Sequence, residues 1–240
     1  MGGSEVKKGQ QYNSYNQPIG YPVTNWSTRA YPTKSTLEGT NCRLEKVDPN
    51  KHLEDLYQVY GPQSNPKNWT YIPLMSFKNK IEFSEYLTAM SHSQDPFHYA
   101  IIDKTSGKAL GTVALMRINP EHGTIEVGFV IYSDQLKKTR IATEAQYLLA
   151  CYALDELGYR RYEWKCDALN EPSKNAALRL GFVFEGIFRN AVVYKERNRD
   201  TAWFSILESE WPKQKARMES WLSDSNFTAD GEQRKRLNEF

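Results

Sequence analysis

The spacing of apolar residues changes repeatedly between residues 97 and 207, and this constrains the fold more than any other feature of the chain. Strand-like alternation fits residues 97–103, 109–117 and 123–132, and helix-like spacing follows over residues 141–157. A Lys-Thr-Ser-Gly run between the first two strands is typical of a hairpin turn. The order predicts an α/β domain with a mixed sheet, an antiparallel meander followed by a parallel β-α-β crossover.

The chain divides into three segments of different character. Residues 1–35 are rich in Gly, Gln, Asn, Tyr, Ser and Pro, which predicts an extended or poorly ordered segment whose aromatic residues dock in part onto the domain. Residues 36–222 carry the periodic pattern of a folded domain, and residues 223–240 are expected to form a polar tail. The other predicted strands cover residues 42–47, 160–167, 182–188 and 201–207, and the other helices cover residues 52–60, 81–90, 170–180 and 209–221.

Composition and charge argue against several classes of protein. A net charge of +2 is too small to indicate binding to nucleic acid or to a membrane surface. No apolar run approaches the ~18–20 residues that span a bilayer, and the first residues lack the apolar region of a secretory signal. The three cysteines are widely spaced, which favours reduced thiols over disulfides or a zinc site. We therefore expect a cytoplasmic protein without a metal.

A short basic loop connects the third meander strand to the long helix. The first N–H groups of a helix lack intrahelical acceptors and carry the positive end of its dipole, so they suit a phosphate or diphosphate. Lys137, Lys138 and Arg140 add positive charge beside them. A solvated basic loop, capped by Thr139 or by Thr143, explains the same residues. The loop lacks the glycines of a P-loop or of a dinucleotide fingerprint.

Two predicted strands separate apolar from polar side chains. In the first, one face carries Ile125, Val127, Phe129 and Ile131, and the other carries Thr124, Glu126, Gly128, Val130 and Tyr132. In the second, one face carries Tyr162, Trp164 and Cys166, and the other carries Glu163, Lys165 and Asp167. Alternating charge is typical of cross-strand pairing at a surface. It is also compatible with a cleft in which Glu163 or Asp167 meets a cationic substrate.

Several short motifs occur in an order that resembles one superfamily. They are Ala142-Thr143-Glu144 at the start of the long helix, Asn170 and Ser173, Gly181-Phe182, Glu185-Gly186, Arg199-Asp200 before an aromatic strand, and the late Trp211. We call this ordered set of motifs the motif ladder. With it, the stretch from about Leu44 to Trp211 resembles the GNAT superfamily, in the branch of the acetyltransferases of ribosomal-protein N-termini. The coenzyme loop of that family reads Gln/Arg-x-x-Gly-x-Gly/Ala; here Lys137 stands at the first position and Arg140 replaces the first glycine.

The resemblance implies the GNAT fold and a site for acetyl-CoA. The pantetheine and the thioester carbonyl would meet backbone N–H groups of Phe129 and Val130, and Asn170 would contact the pantetheine. The diphosphate would lie against Lys137, Lys138, Thr139, Arg140, Ile141, Ala142 and Thr143. The Arg140 side chain either pairs with a phosphate oxygen or blocks the approach of the diphosphate to the backbone. Asn170 is also a candidate for a plain N-cap.

The resemblance also implies direct attack of an amine on the thioester. This reaction needs a base, donors for the oxyanion and a group that assists the departing thiolate. Glu126 stands at the position of the base and Ser173 at the position of the assisting group, with Tyr194 as a further candidate acid. The structural alternatives are an exposed carboxylate on the sheet for Glu126 and an ordinary first-turn serine for Ser173.

The implied function is an acyltransferase that moves an acetyl group from acetyl-CoA to a primary amine, either a protein N-terminus or a small amine. A second hypothesis, motivated by Arg140, is a GNAT-fold module that binds acyl-CoA or a partner without turnover. The low net charge disfavours a third, nucleic-acid binding through the basic loop. Both a monomer and a homodimer are compatible with the sequence.

Overall fold

The computed structural model describes residues 11–240, and its main elements follow the predicted order. The strands are β1 (Gln11–Tyr12), β2 (Pro18–Ile19), β3 (Thr36–Glu38), β4 (Cys42–Lys46), β5 (Phe97–Asp103), β6 (Ala109–Asn119), β7 (Thr124–Tyr132), β8 (Arg161–Asp167), β9 (Val183–Tyr194) and β10 (Arg197–Leu207). The α-helices are α1 (Pro49–Tyr60), α2 (Lys80–His92), α3 (Arg140–Cys151), α4 (Glu171–Leu180) and α5 (Trp211–Leu222). None of the helices within residues 11–240 is long and apolar enough to cross a membrane.

Eight of the strands form one mixed sheet in the order β3-β4-β5-β6-β7-β8-β10-β9. Every neighbouring pair is antiparallel except β7 and β8, which are parallel and are joined by α3. The predicted antiparallel meander with one parallel crossover is therefore confirmed. A parallel pair needs a long connection, and the α3 segment supplies it.

Two apolar clusters cover the two faces of the sheet. On the first face α3, α4 and α5 bury residues such as Leu149, Leu180 and Trp221. On the second face α1 and α2 pack over the meander, where the rings of Tyr60 and Phe83 stack with centroids 5.0 Å apart. Among the described residues, this second cluster takes none from β8, β9 or β10. The second face of β8 is therefore not covered by this apolar cluster, and there β8 carries polar side chains.

β7 contains a bulge that changes which side chains face which helices. Between Gly128 and Ile131, three steps along β7 correspond to two steps along β6, and Phe129 adopts a φ of 46°. The prediction that Ile131 shares a face with Ile125 is wrong, because the extra residue moves Ile131 to the α1–α2 face. For the same reason Val130 turns toward the α3 face, opposite to its predicted side.

The long helix after β7 changes type before it ends. α3 stops at Cys151, and Tyr152–Glu156 form a π-helical turn, where a single helix over residues 141–157 was predicted. The turn buries Tyr152, whose hydroxyl accepts hydrogen bonds from the backbone N–H groups of Thr33 (2.8 Å) and Lys34 (3.0 Å). This contact involves residues far apart in the chain, so the local apolar spacing contains no sign of it.

β9 and β10 form a hairpin that is longer than predicted. Its turn, Lys195-Glu196, has φ values of 48° and 59° at the two positions. The added residues 189–194 and 197–200 are mostly polar or exposed, so they lack the alternating apolar signal by which strands are predicted.

The described part of the N-terminal segment lies along the domain. Trp26 Nε1 donates a hydrogen bond to Glu121 O at 2.8 Å, and the Tyr159 hydroxyl donates to Ala30 O at 3.1 Å. These contacts lie near the N-terminal ends of β7 and β8. Residues 1–10 of the segment that was expected to be extended or poorly ordered lie outside the described residues.

Residues 223–240 are docked on the domain, although a polar tail was expected. Leu237 is fully buried in the first apolar cluster, and the segment packs against α4 and α5. Asn226 Nδ2 donates hydrogen bonds to Trp221 O (3.0 Å) and to Lys235 O (3.2 Å). A single buried leucine in a polar stretch is too weak a pattern for a prediction of docking.

Candidate active site

The parallel strands β7 and β8 separate toward their C-terminal ends. Pairing stops at Val127 and Trp164, although β7 continues to Tyr132 and β8 to Asp167. We call the opening between residues 128–132 and 165–167 the β7–β8 gap. Phe129 and Val130 have no register partner on β6 or β8. An extended chain that enters the gap would lie beside their backbone polar groups.

α3 begins beside this gap and presents unpaired N–H groups. Thr139 is the N-cap, and its Oγ1 accepts a hydrogen bond from Ala142 N at 3.1 Å. The backbone N–H groups of Lys138, Arg140 and Ile141 make no hydrogen bond within residues 11–240. Such a helix start attracts anions through its free donors and its dipole. The backbone N–H groups of the predicted phosphate-binding loop are therefore available to an anion.

The Arg140 side chain points away from the unpaired N–H groups. Its guanidinium donates to Leu222 O and to Asp224 Oδ1 (2.7 Å), and it lies 4.2 Å above the ring centroid of Phe227. Arg140 therefore ties the start of α3 to the C-terminal segment. The sequence left open whether the Arg140 side chain pairs with a phosphate or blocks the loop. In the structure it turns to the C-terminal segment instead.

The two loop lysines differ in their surroundings. Lys137 Nζ donates to Asp134 Oδ1 at 2.7 Å and to Asn68, and these contacts help to lower the pKa of Asp134 to about 2. Lys138 is exposed, adopts a φ of 62°, and its ammonium has no partner within the described residues. Lys138 is thus the loop cation whose side chain is available to a ligand.

The Ala-Thr-Glu motif holds neighbouring elements to α3. Thr143 Oγ1 accepts a hydrogen bond from Arg179 Nη1 of α4 at 3.1 Å. The buried Glu144 carboxylate accepts three backbone N–H bonds, from Thr40 (2.7 Å), Asn41 (2.8 Å) and Cys42 (2.9 Å). The side chains of Thr143 and Glu144 are therefore engaged within the protein, and their structural role needs no ligand.

Asn170 and Ser173 lie at the start of α4, just after β8. Asn170 Oδ1 accepts from Ser173 N at 3.2 Å, so Asn170 is the N-cap of this helix. Ser173 Oγ accepts from Trp164 Nε1 at 3.0 Å. Since Trp164 is the last β8 residue paired with β7, this bond places the serine hydroxyl near the beginning of the β7–β8 gap.

Glu126 is buried on the second face of the sheet, not exposed on it. Only 3% of its side chain is accessible. Both carboxylate oxygens accept from Arg117 Nη1 at 2.8 Å, and Oε2 lies 2.8 Å from Lys165 Nζ. The structural alternative of a solvated surface carboxylate is therefore wrong. Glu126 lies two residues before Gly128, at the beginning of the gap.

Glu126 belongs to a row of alternating charges, which we call the charged row. In order its members are Arg117, Glu126, Lys165, Glu163, Arg161 and Glu185. Successive partners on β7 and β8 approach within 2.6–2.8 Å, and Ser205 Oγ donates to Glu185 at 2.7 Å. The alternation of charge along β8 was visible in the sequence. Its burial was not, because it depends on which strands and loops cover this face.

No sequence pattern pointed to a role for Arg117, because Arg117 reaches Glu126 only through a bulge in β6. β6 shifts register after Met116, and Arg117 adopts a φ of 45°. The Asp95 carboxylate accepts from the backbone N–H groups of Arg117 (2.8 Å) and Ile118 (3.1 Å) and holds the bulge. A non-glycine residue in this conformation is strained, and such strain often accompanies functional positions.

His98 is a buried histidine beside the bulge of β7. Its ring meets the Phe129 ring edge-on, with centroids 5.2 Å apart, and 4% of the residue is accessible. Burial lowers the pKa of His98 to about 4, so the imidazole is neutral at physiological pH. The sequence contained no pattern that distinguished this histidine from the other three.

The β9–β10 hairpin reaches the connection between α1 and α2. Lys195 Nζ donates to Trp69 O in the 3₁₀ helix Pro66–Trp69. The Tyr194 hydroxyl donates to Asp167 Oδ2 at 2.8 Å, and burial together with this carboxylate raises the pKa of Tyr194 to about 12. The hairpin and the α1–α2 connection therefore meet on the second face of the sheet, the face that carries the charged row.

The family model of the acetyltransferase (GNAT) domain matches residues 42–183. A crystal structure of a GCN5-related N-acetyltransferase from Brucella melitensis is similar at 44% identity and a TM-score of 0.88, over 90% of this chain and 98% of that one. The uncharacterized N-acetyltransferase p20 of Bacillus licheniformis is 26% identical over 179 residues, which are 73% of this chain and 98% of the relative. The ribosomal-protein-serine acetyltransferase of Escherichia coli is 30% identical over 103 residues, 42% of this chain and 56% of the relative.

The family match covers more than half of the chain and spans the β7–β8 gap, the α3 start and Glu126. The resemblance inferred from the motif ladder is therefore confirmed, and so is the fold. The chain belongs to the GNAT family of N-acetyltransferases, enzymes that transfer an acetyl group from acetyl-CoA to an amine.

Proposed function

We propose that acetyl-CoA binds along the β7–β8 gap and that a primary amine reaches its thioester from the α1–α2 side of the sheet. One observation carries this proposal. The backbone of Phe129 and Val130, which has no register partner on β6 or β8, lies between the free N–H groups at the α3 start and the buried carboxylate of Glu126. A diphosphate donor site, a slot for an extended chain and a carboxylate thus follow one another in space.

The coenzyme contacts that we propose are mainly contacts to the backbone. The N–H groups of Phe129 and Val130 would pair with the pantetheine and the thioester carbonyl, and those of Lys138, Arg140 and Ile141 would face the diphosphate. Ala142 N is already bonded to the Thr139 hydroxyl, and the side chains of Lys137 and Thr143 have partners within the protein. Asn170 would contribute through the helix start that it caps. Lys138 would add a charged side-chain contact.

Glu126 is the base in this proposal. A carboxylate offers about four lone-pair positions, of which Arg117 and Lys165 occupy three, so one remains for an N–H of the acceptor. As the N–C bond forms and the C–S bond breaks, Glu126 takes the proton that the ammonium loses. The departing sulfur receives its proton from Ser173 or from water that this hydroxyl orients.

The acceptor is a primary amine on a protein N-terminus or on a small molecule. The partial match to an enzyme named for ribosomal-protein serine favours the first, and the charged row is compatible with both. The side of entry is supported by the absence of α1 and α2 residues over β8 and β10 within the described chain. The β9–β10 hairpin and the α1–α2 connection would border the acceptor.

The alternative of a non-catalytic binding module was motivated by Arg140. Its guanidinium is bound to the C-terminal segment, and the backbone N–H groups beside it remain unpaired. The glycine of the family pattern is thus replaced without loss of the anion-binding donors. We therefore favour the enzyme.

Two measurements on the purified protein test this function. Isothermal titration with acetyl-CoA should give micromolar binding, and dephospho-CoA serves as the comparison for the contribution of the 3′-phosphate. Release of the coenzyme thiol is then followed with a panel of acceptors: peptides with free Ser or Ala N-termini, the same peptides with blocked N-termini and an internal lysine, and small amines. Binding without thiol release from any acceptor would favour the module. Absence of binding at high micromolar acetyl-CoA would refute the proposed coenzyme site.

A further inference from the structure

We infer that Lys165 is a positioning residue for acetyl transfer, which holds the Glu126 carboxylate in its position beside the β7–β8 gap. The inference rests on the proposed role of Glu126 as the base, and it adds a residue to which neither the family motifs nor the sequence patterns assign a task.

Lys165 is held at three points. Its Nζ lies 2.8 Å from Glu126 Oε2 and 2.7 Å from Glu163 Oε2, and it sits 3.8 Å from the ring centroid of Trp203. Only 7% of the side chain is accessible. Two carboxylates and an aromatic face therefore fix this ammonium. A lysine with four rotatable bonds is confined in this way only at a considerable entropic cost.

The position of Lys165 along β8 connects it with the gap. Pairing of β7 with β8 ends at Trp164, so Lys165 is the first β8 residue beyond the paired region. Its side chain nevertheless returns to Glu126 on β7. Lys165 thereby bridges the two strands where their backbones begin to separate, and it determines where the Glu126 carboxylate lies relative to the gap.

Lys165 also separates two like charges. Glu126 and Glu163 are direct neighbours on β7 and β8, they point to the same face, and both are buried. Two like charges in such a place repel each other unless a cation lies between them. Without Lys165 this repulsion would move the Glu126 carboxylate out of the position in which it meets the acceptor amine.

The other charged or titratable groups around Glu126 do not replace Lys165. They are Arg117 from β6, Glu163 from β8, with Arg161 and Glu185 behind it, His98 from β5, and Asp167 with Tyr194 at the end of β8. Arg117 pairs with Glu126 but is 54% accessible and does not contact Glu163, so it leaves the repulsion between the two carboxylates in place. His98 is neutral near pH 7, because burial lowers its pKa to about 4.

The test compares Lys165→Met and Lys165→Arg with the wild type in kcat and in the Kd for acetyl-CoA. We expect an unchanged Kd in both variants, because the coenzyme contacts are made elsewhere. We expect kcat of Lys165→Met to fall at least tenfold. Lys165→Arg keeps a cation between the two carboxylates and should recover most of this loss. The matched control is Lys215→Met, which breaks the ion pair (2.9 Å) between Lys215 of α5 and Asp155 and should leave kcat and Kd unchanged.

Two outcomes overturn the inference. The first is a kcat of Lys165→Met that matches the wild type, and the second is a loss of kcat that Lys165→Arg does not relieve and that is accompanied by an equal loss of coenzyme affinity, as a purely structural defect would give. If Lys165→Met fails to fold, the double variant Lys165→Met/Glu163→Gln removes the charge of Glu163 that would be left unpaired. Any remaining effect on kcat then comes from the lost contact between Lys165 and Glu126. This double variant should recover stability, and its kcat should stay reduced because Glu126 is no longer positioned; full recovery of kcat would contradict the positioning role.

The two proposals fail in different ways. If Glu126→Gln retains the wild-type rate, Glu126 is not the base, and the role of Lys165 falls with it while acetyl transfer stands. If the wild type binds acetyl-CoA and acetylates no amine, the proposed function itself is wrong.

Discussion

Replacement of Arg140 by alanine tests how this chain dispenses with the glycine of the family loop. Arg140→Ala keeps a good helix former at the first position of α3 and removes the three contacts of the guanidinium, with Leu222, Asp224 and Phe227. The structure assigns these contacts to the C-terminal segment. The substitution should therefore reduce stability and leave the affinity for coenzyme nearly unchanged.

The magnitude follows from the surroundings of each contact. The charged hydrogen bond to Leu222 O contributes about 1.5–3 kcal/mol, and the cation–π contact with Phe227 contributes about 0.5–1 kcal/mol. The pair with Asp224 adds about 0–1 kcal/mol, since that side chain is 86% accessible. Arg140 Nε is buried without a partner, which offsets about 1 kcal/mol or more. The net loss in the free energy of unfolding should be about 1–4 kcal/mol.

The assay pairs chemical denaturation with isothermal titration of acetyl-CoA. If the structure is right, the free energy of unfolding falls by this amount and Kd changes by less than about threefold. A guanidinium bound to phosphate would contribute about 1.5–3 kcal/mol, so its removal would weaken binding about 10- to 150-fold. A weakening of that size with unchanged stability would refute the orientation of Arg140. Lys138→Ala is the matched comparison: it should weaken coenzyme binding about 3- to 10-fold, more at low salt, and leave stability unchanged.

Three further predictions concern Glu126, Glu144 and His98. Glu126→Gln should lower kcat by about 10²–10⁴ with an unchanged Kd for acetyl-CoA, and an unchanged rate would exclude it as the base. Glu144→Gln should cost about 2–4 kcal/mol in urea denaturation, because three backbone N–H groups lose a charged acceptor; a cost below about 1 kcal/mol would contradict this role. The pKa of His98 is depressed to about 4, so the unfolded chain binds the proton first, and stability should fall by up to about 3 kcal/mol as the pH drops from 6.5 to 4. His98→Phe should remove this part of the pH dependence, and a profile parallel to the wild type would show that other groups cause it.

Local patterns in the sequence were sufficient for the fold class and for the start of α3. The alternation in the meander, the helical spacing after residue 140 and the caps Thr139 and Asn170 depend on neighbours a few residues apart. The motif ladder adds the family, because its residues lie at fixed distances along the chain. These features predicted the mixed sheet and the crossover before any contact between distant residues was known.

The bulges were beyond the reach of such patterns. Phe129 occupies the left-handed region because β7 pairs with β6 on both sides of it, with one extra residue between the paired positions. No pattern in the neighbouring residues predicts this extra residue. The same is true of Arg117, which Asp95 holds from another part of the chain. Each bulge reverses or redirects side chains that a strict alternation would place elsewhere.

The environment of each charge was also decided by tertiary structure. Alternation in the sequence separated Glu126 from the apolar face of its strand and placed Lys165 beside Glu163 and Asp167 on another strand, and it showed that cations precede α3. Only the assembled sheet decided that Glu126 and Lys165 are buried against each other, that Arg140 turns to the C-terminal segment and that Lys138 remains free. The physical reason is that a charge acts through its burial and its nearest partners, and here those partners come from strands and segments far apart in the chain.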